Sequence, residues 1–151
     1  MREQKRLVDL HAHTHCSDGS LSPEELVRLA KQKGLAAVAV TDHDTTAGLA
    51  AALSEGARQG IQVIPGIEFS TSWEDHEVHM IGLFLRPDCP SLEASLEQMR
   101  RDREARNIRS VEKLAEAGFA VSLEDLKAFG EGAVLTRGHI GELLVERGYA
   151  P

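Results

Sequence analysis

The sequence predicts an α/β protein assembled from βα units, and three observations carry that prediction. Short apolar runs alternate with stretches of helical periodicity up to residue 90, the runs carry His, Asp or Glu at or near their ends, and capping residues and glycines punctuate the boundaries. With 151 residues and 42% hydrophobic content, the chain is long enough for one domain with a sizeable core.

The first run, Leu7 to Leu10, is broken only by Asp9 and leads through His11-Ala12-His13 into a polar, glycine-containing loop from Thr14 to Ser20. In an extended backbone alternate side chains share a face, so His11 and His13 aim two imidazoles at one point. They do so at the strand-to-loop edge where open α/β sheets and barrels place their chemistry. Ser22-Pro23-Glu24-Glu25 then supplies an N-cap, a proline at N1 and a capping-box glutamate at N3. Leu26, Leu29 and Ala30 form one face of this helix, and Gly34 is placed to end it in a left-handed cap.

Ala36 to Val40 is a continuous apolar run, the mark of a strand buried on both faces, and it ends in Thr41-Asp42-His43-Asp44. Asp42 and Asp44 offer two roles: a carboxylate on the second ring nitrogen of His43, or turn and capping chemistry. Thr46 is expected to cap an alanine-rich helix over 47–57, closed by Gly60, before the run Ile61 to Glu68, in which Gly66 reads as a close-approach position. Val78 to Leu85 is a fourth run, with His79 near its start. Right-handed crossovers place the ends of three parallel strands on one rim.

From Ser91 onward the pattern is helical. Ser91 to Gly118 forms one long helix with Leu96, Met99, Ile108, Val111, Leu114 and Ala115 as buried candidates. Its basic residues Arg100, Arg101, Arg103, Arg106, Arg109 and Lys113 spread around the helix, which predicts a solvated face more readily than a polyanion-binding stripe. Ser122 opens another capped helix, and Thr136 caps a last one containing His139. Residues 1–90 thus read as βα units, and 91–151 as a helical segment inserted in or following them.

Composition narrows the function classes. A net charge of -7 argues against a general nucleic-acid or membrane-surface binder, so no extended DNA-binding surface is expected and any phosphate-bearing partner needs a local positive centre. No stretch approaches membrane-spanning length, and the charged segment Met1 to Arg6 with its short apolar sequel does not make a signal peptide. Cys16 and Cys89 lack CxxC spacing, which argues against a thiolate zinc site or disulfide framework and suits a reducing cytoplasm.

The candidate metal ligands are His11, His13, Asp18, His43, Glu68, His79 and His139, all imidazole or carboxylate, the donor set of zinc, manganese or iron in N/O sites. Glu68 is the obvious bridge between neighbouring ions. Such a cluster lowers the pKa of bound water, orients the resulting hydroxide and neutralises charge on attacking and leaving oxygens, all of which phosphoester hydrolysis needs. His15, Cys16 and His76 read as loop residues, although Cys16 stands near enough to the ligands for oxidation or adventitious metal binding.

These residues carry a family resemblance. Asp9-Leu10-His11-Ala12-His13-Thr14 with Ser17-Asp18-Gly19 and Pro23-Glu24-Glu25-Leu26, then Thr41-Asp42-His43-Asp44, then Pro65-Gly66-Ile67-Glu68-Phe69-Ser70, resemble the successive motifs of the PHP (polymerase and histidinol phosphatase) family. The likeness is to its stand-alone phosphoesterases, the group that includes nucleoside 3',5'-bisphosphate phosphatases and a 5'-to-3' RNA exonuclease. Val78-His79-Met80-Ile81-Gly82 and Thr136-Arg137-Gly138-His139-Ile140 resemble later motifs of that group.

The resemblance implies a partial distorted (β/α)7 barrel with an added helical segment after residue 91. It implies that His11 and His13 hold one divalent metal with Glu68, that Glu68 bridges to a second held by His79 and His139, and that Asp18 and His43 serve a third. The ions would be Mn2+, with Zn2+ or Fe2+ as alternatives. Arg137 would grip a substrate phosphate, so that Glu68 and Arg137 are the catalytic candidates. The implied reaction is hydrolysis of a phosphomonoester of a nucleotide or short RNA by metal-activated hydroxide, with no covalent nucleophile. Members of this group continue into further strands and an Asp-x-His motif that supplies the last ligands, and nothing of that kind follows His139. The expectation is therefore an N-terminal part with an incomplete ligand set, whose exposed strand edges favour a homo-oligomer. Two other readings stay open: a catalytically silent PHP scaffold or binding module, and an amidohydrolase-type enzyme, which also begins with His-x-His. The latter commonly bridges its metals with a lysine, and no lysine lies near Glu68 in the sequence.

Overall fold

A computed structural model describes residues 6–74, 76–86 and 88–151; the first five residues of the charged N-terminal segment lie outside it. In chain order the elements are β1 (Val8–Ala12), α1 (Pro23–Gln32), β2 (Ala37–Val40), α2 (Leu49–Gln59), β3 (Gln62–Trp73), β4 (His76–Leu83), α3 (Pro90–Glu116), α4 (Leu123–Phe129) and α5 (Arg137–Glu146). The strands form one mixed sheet in the order β1-β2-β3-β4, the first three parallel and β4 antiparallel to β3. Two helical crossovers make the first three strands parallel, and a tight hairpin makes the fourth antiparallel. The result is a partial barrel of βα units in which β1 and β2 end beside Glu68, while β3 continues past it to Trp73.

Local chemistry explains most boundaries. Ser22 and Glu25 form the reciprocal capping box at the start of α1, with Pro23 at its first position, and Gly34 and Gly60 follow α1 and α2 at φ 75° and 64°. Thr46 does not cap α2: the helix begins two residues later, with Gly48 as N-cap and no side-chain cap. The N-cap position is crowded: a Cβ on Gly48 would sit 3.0 Å from Pro23 Cγ and 3.2 Å from Cys16 Sγ. The Thr46 carbonyl instead accepts from Leu49 N at 3.0 Å. β3 also departs from expectation. It does not stop at Glu68 but runs on to Trp73, because Phe69 to Trp73 find ladder partners in β4.

The main core packs Val27 and Ala30 of α1 and Leu49 and Ala52 of α2 against Val38 and Val40. The opposite face of β2 presents Ala37 and Ala39 beside Ile64, so β2 is buried on both sides as its continuous apolar run requires. β1 is an edge, and Leu7, Val8 and Leu10 on or beside it are exposed. Residues 91–151 build a separate cluster in which Val111 of α3, Leu126 of α4 and Ile140 and Leu143 of α5 meet Val121.

α3 joins the sheet through polar contacts. Of its predicted core positions only Leu96 and Val111 are buried; Met99, Ile108 and Leu114 are partly covered and Ala115 is exposed. Arg103 and Asn107 take the buried places, four residues apart on one face. Arg103 Nε donates to Asp44 Oδ2 at 3.0 Å, with side-chain exposures of 5% and 0%, and its Nη2 reaches Ser70 Oγ. Arg100 Nη1 donates to the Asp44 carbonyl at 3.0 Å, and Val134 N donates to the Cys16 carbonyl at 2.9 Å. Among the described residues no helix is long and apolar enough to cross a membrane.

The buried Asp44–Arg103 pair sets the first expectation. Arg103→Ala strands a buried carboxylate and costs about 3–5 kcal/mol, whereas the double change Asp44→Asn with Arg103→Met costs less than that single change, because no charge is left behind. Urea unfolding of the three proteins measures this; equal losses for the single and double variants would contradict it.

Candidate metal centre

The site forms where four strands deliver polar side chains to one place. β1 pairs with β2 irregularly between Asp9 and Ala12, so the His-x-His segment is not the regular strand expected from its spacing. The two rings still converge, with Nε2 atoms 3.0 Å apart. Beyond β2 the backbone stays paired with β3 around Glu68: Glu68 N donates to the Asp42 carbonyl at 3.2 Å and Asp44 N to the Glu68 carbonyl at 3.1 Å. That pairing sets His43 beside Glu68. His79 arrives from β4, opposite Ser70.

Glu68 is the hub. Its Oε2 lies 2.8 Å from His11 Nε2, 2.9 Å from His13 Nε2 and 3.8 Å from His43 Nδ1, and its Oε1 lies 2.8 Å from His79 Nδ1. Asp18 Oδ1 is 2.8 Å from His13 Nδ1, and Oδ2 is 3.4 Å from His43 Nε2. Among the described residues three sets of ligand atoms cluster: His11, His13 and Glu68; His13, Asp18 and His43; and His43, Glu68 and His79. Six of the seven candidate ligands are thus brought together, and His43 takes the third place beside Glu68 and His79 that the resemblance gave to His139.

His139 stays apart. Its Nδ1 accepts from Thr136 N at 3.0 Å as the reciprocal half of the α5 cap, and its buried ring faces Phe129 and Gly130. The sequence signal for a cap, a threonine three residues before a side chain able to accept, was present but overshadowed by the imidazole. Arg137, exposed at the start of α5, holds Glu77 Oε2 at 2.5 Å. Glu77 is the residue that sequence reasoning missed. Its Oε1 also meets His79 Nε2 at 3.0 Å and Arg106 Nη1 at 2.9 Å, so one carboxylate ties His79 to two arginines. Its spacing two residues before His79 on a strand was the available clue.

The flanking aspartates do not hold His43. Asp42 accepts from Thr14 N, Thr14 Oγ1 and Ser17 Oγ, each at 2.7 Å, which folds the first loop onto the rim. Asp44, at φ 51°, accepts from Ser70 N at 2.8 Å and from Arg103. Gly19 closes the same loop so tightly that a Cβ there would lie 2.3 Å from the His13 carbonyl oxygen. His15 and His76 are exposed and outside the ligand groups, and the Cys16 sulfur packs toward the start of α2.

The donors fit divalent cations. His43 Nδ1 is buried without a hydrogen-bond partner among the described residues. The 2.8–3.0 Å separations within the His11, His13 and Glu68 group match the edges of a coordination polyhedron with bonds of about 2.1 Å. Charge balance agrees: Asp42, Asp44 and Glu68 are buried, and Arg103 is the one buried arginine or lysine among the described residues. Burial works against ionising Asp18 and Glu68. The hydrogen bonds from His13 and His43 nevertheless hold Asp18 well below the usual carboxylate range, and His11 and the neighbouring imidazoles lower Glu68. Burial would lower His13, but the Asp18 hydrogen bond and the surrounding carboxylates raise it. Glu77, despite burial, is brought down to about 2 by His79, Arg106 and Arg137.

A partial barrel with a carboxylate-bridged imidazole cluster on its strand-end rim defines a metal-binding α/β class. The PHP domain model matches residues 9–147, so the chain belongs to the PHP domain family. It is similar to the 5'-3' exoribonuclease Rnm of Salmonella typhimurium, 41% identical over 146 residues that cover 95% of this chain and 50% of that protein. It is also similar to the 3',5'-nucleoside bisphosphate phosphatase of Chromobacterium violaceum, 37% identical over 142 residues, 93% of this chain and 50% of that one. A solved structure of a proposed metal-dependent phosphoesterase from Bifidobacterium adolescentis superposes with a TM-score of 0.88 at 33% identity, covering 97% of this chain and 52% of that one. The chain spans about half the length of the curated relatives it matches.

The shifted groups predict how the metal-free chain responds to pH. Asp18, Glu68 and Glu77 have native pKa values below their unfolded ones near 4, so they stabilise above that pH and the benefit is lost as pH falls. His13 has a raised native value, so its contribution is complete below the unfolded value of about 6.5 and is lost as pH rises from there through the raised native value. Melting temperature in a chelator is therefore highest between these limits and falls on both sides; a flat profile from about pH 2 to about pH 9 would contradict the arrangement.

Proposed function

We propose that this chain provides metal ligands and phosphate-binding groups for a divalent-metal-dependent phosphoesterase acting on a phosphomonoester of a nucleotide or short RNA. The observation that carries the reading is the buried Glu68 carboxylate with His11, His13, His43 and His79 converging on it. Relatives named as an exoribonuclease and a nucleoside bisphosphate phosphatase support the substrate class.

Divalent cations held at such a site lower the pKa of water and offset negative charge on phosphoryl oxygens. His11, His13 and Glu68 would hold one ion and His43, Glu68 and His79 another, with Asp18 joining His13 and His43 at a third position. Manganese is the proposed metal, because the donors are imidazole and carboxylate without thiolate; zinc and iron share that chemistry. Arg137 stands at the edge of the cluster, one residue before Gly138, where a Cβ would lie 3.8 Å from Asp18 Oδ2. Its guanidinium exchanges the Glu77 carboxylate for a substrate phosphate, an oxyanion of similar fork geometry. His139 serves as the cap that fixes the start of α5 and so the placement of Arg137. The βα units through residue 90 carry most of the ligands, and the helical segment from 91 brings Arg137. The proposed location is the cytoplasm.

The amidohydrolase-type alternative expects a bridging lysine, and no lysine contacts Glu68 among the described residues. Elemental analysis after expression with manganese, alongside phosphate release from nucleoside monophosphates, tests the proposal. Glu68→Gln is expected to lose bound metal. Arg137→Ala is expected to keep it and to lower kcat/KM roughly 10–100-fold, the worth of charged hydrogen bonds at about 1.5–3 kcal/mol. Metal without turnover of any phosphomonoester would support the silent module, and no metal would overturn the reading.

Glu77→Gln is expected to weaken metal binding about 10–100-fold, since the carboxylate orients His79 through its second ring nitrogen. Titration of the two proteins with manganese measures it, and unchanged affinity would contradict that role.

A further inference from the structure

Asn107 places an amide among the buried residues of α3, one turn after Arg103 and next to Arg106. The residue is 3% exposed. Its Nδ2 donates to the Leu135 carbonyl at 3.0 Å, while its Oδ1 is buried with no hydrogen-bond partner among the described residues. An amide oxygen taken out of water and left unpaired works against folding. The use of this side chain therefore lies in its donor half, and that half has one task, the Leu135 carbonyl.

That carbonyl stands at the root of Arg137. Residues 130–135 join α4 to α5 without helix or strand, and a cavity of about 220 Å³ lies between residues 133–135, α3 and α4. Close packing thus leaves one side of the link unsupported. Polar tethers act on its last residues: Val134 N donates to the Cys16 carbonyl at 2.9 Å, Asn107 holds Leu135, and Thr136 Oγ1 accepts from Gly138 N at 3.1 Å as the N-cap of α5. The Leu135 side chain meets the apolar cluster of the helical segment.

Neighbouring residues of α3 thereby reach both ends of Arg137. Arg106 meets its guanidinium through Glu77, each arginine holding one oxygen of that carboxylate, and Asn107 meets its backbone two residues upstream. The two restraints differ in what happens when a phosphate arrives. The contact through Glu77 is given up as the guanidinium turns to the phosphate, whereas the Asn107 tether is untouched by that exchange. A fork of two parallel hydrogen bonds needs its donor aimed, and a small error in aim is costly.

We infer that Asn107 is a positioning residue for Arg137: by holding the Leu135 carbonyl it fixes the start of α5, and with it the direction from which the guanidinium reaches a phosphate after leaving Glu77. The inference rests on the reading of Arg137 as the phosphate-binding group.

A double-variant cycle with Arg137→Ala tests it. Asn107→Leu keeps the volume of the amide without its donor, Asn107→Ser serves if leucine crowds the site, and melting temperature checks folding. In manganese-loaded protein, Asn107→Leu is expected to lower kcat/KM for uridine monophosphate roughly three- to tenfold, the range of one neutral hydrogen bond. The same change made in the Arg137→Ala protein is expected to lower it less than about twofold, because the group being aimed is gone. Manganese affinity stays at the parent's value in titration, since no metal ligand moves. In metal-free protein, the NMR order parameters of the backbone amides of residues 135–138 should fall in Asn107→Leu while those of residues 11–18 hold. Equal losses of kcat/KM in the two backgrounds would show a merely structural role, and unchanged order at residues 135–138 would show that the tether fixes nothing; either overturns the assignment. If Arg137→Ala alone leaves kcat/KM at the parent's value, or the parent has no turnover, the phosphate-binding reading of Arg137 fails instead, and the order parameters decide whether Asn107 fixes the start of α5.

Discussion

The site depends on one buried carboxylate. Glu68 sits in the middle of β3 with almost no exposure, an expensive place for a negative charge unless cations or donors surround it. The fold supplies imidazoles from three directions: His11 on β1 and His13 just beyond it, His43 beyond β2 and His79 on β4. Each neighbouring strand is thereby tied to β3 by chemistry as well as by its ladder. A cation at this point answers the charge surplus of the rim and the unpartnered Nδ1 of His43 together.

Around that hub, a second layer of carboxylates holds the loops. Asp42 collects three neutral donors from Thr14 and Ser17, and so bends the first loop over the rim where Asp18 can reach His13 and His43. Asp44 does the equivalent work on the other side, gripping β3 through Ser70 N and the helical segment through Arg103. Glu77 links His79 to Arg106 of α3 and Arg137 of α5. The helices after residue 90 therefore approach the metal centre through ion pairs rather than through a shared apolar core, which their own cluster around Leu126 makes unnecessary.

Much of this was legible because the relevant signals are local. The capping box of Ser22 and Glu25, the glycines after α1 and α2, and the uninterrupted apolar run of β2 are each decided within a few residues. The structure departs from the local pattern where a distant group intervenes. Pro23 and Cys16 leave little room for a side chain at Gly48, the N-cap of α2, and β3 runs to Trp73 because β4 pairs with it. Arg103 and Asn107 displaced Met99 and Ala115 from the buried face of α3, since the surface they meet presents Asp44 and the Leu135 carbonyl. No count of apolar residues on the helix reports a partner of that kind.

By itself, the sequence determined the βα alternation and the residue types of the candidate ligand set, because strand period, caps and donor chemistry are properties of short segments. It also determined family membership, through motifs in a fixed order. Only the tertiary structure decided which donors share a point. It placed His43 beside Glu68 and His79, left His139 in a helix cap, and made Glu77 the junction of two arginines with His79. Those outcomes rest on the register of β4 against β3 and on the docking of α3 and α5, long-range geometry set by the packing of whole elements.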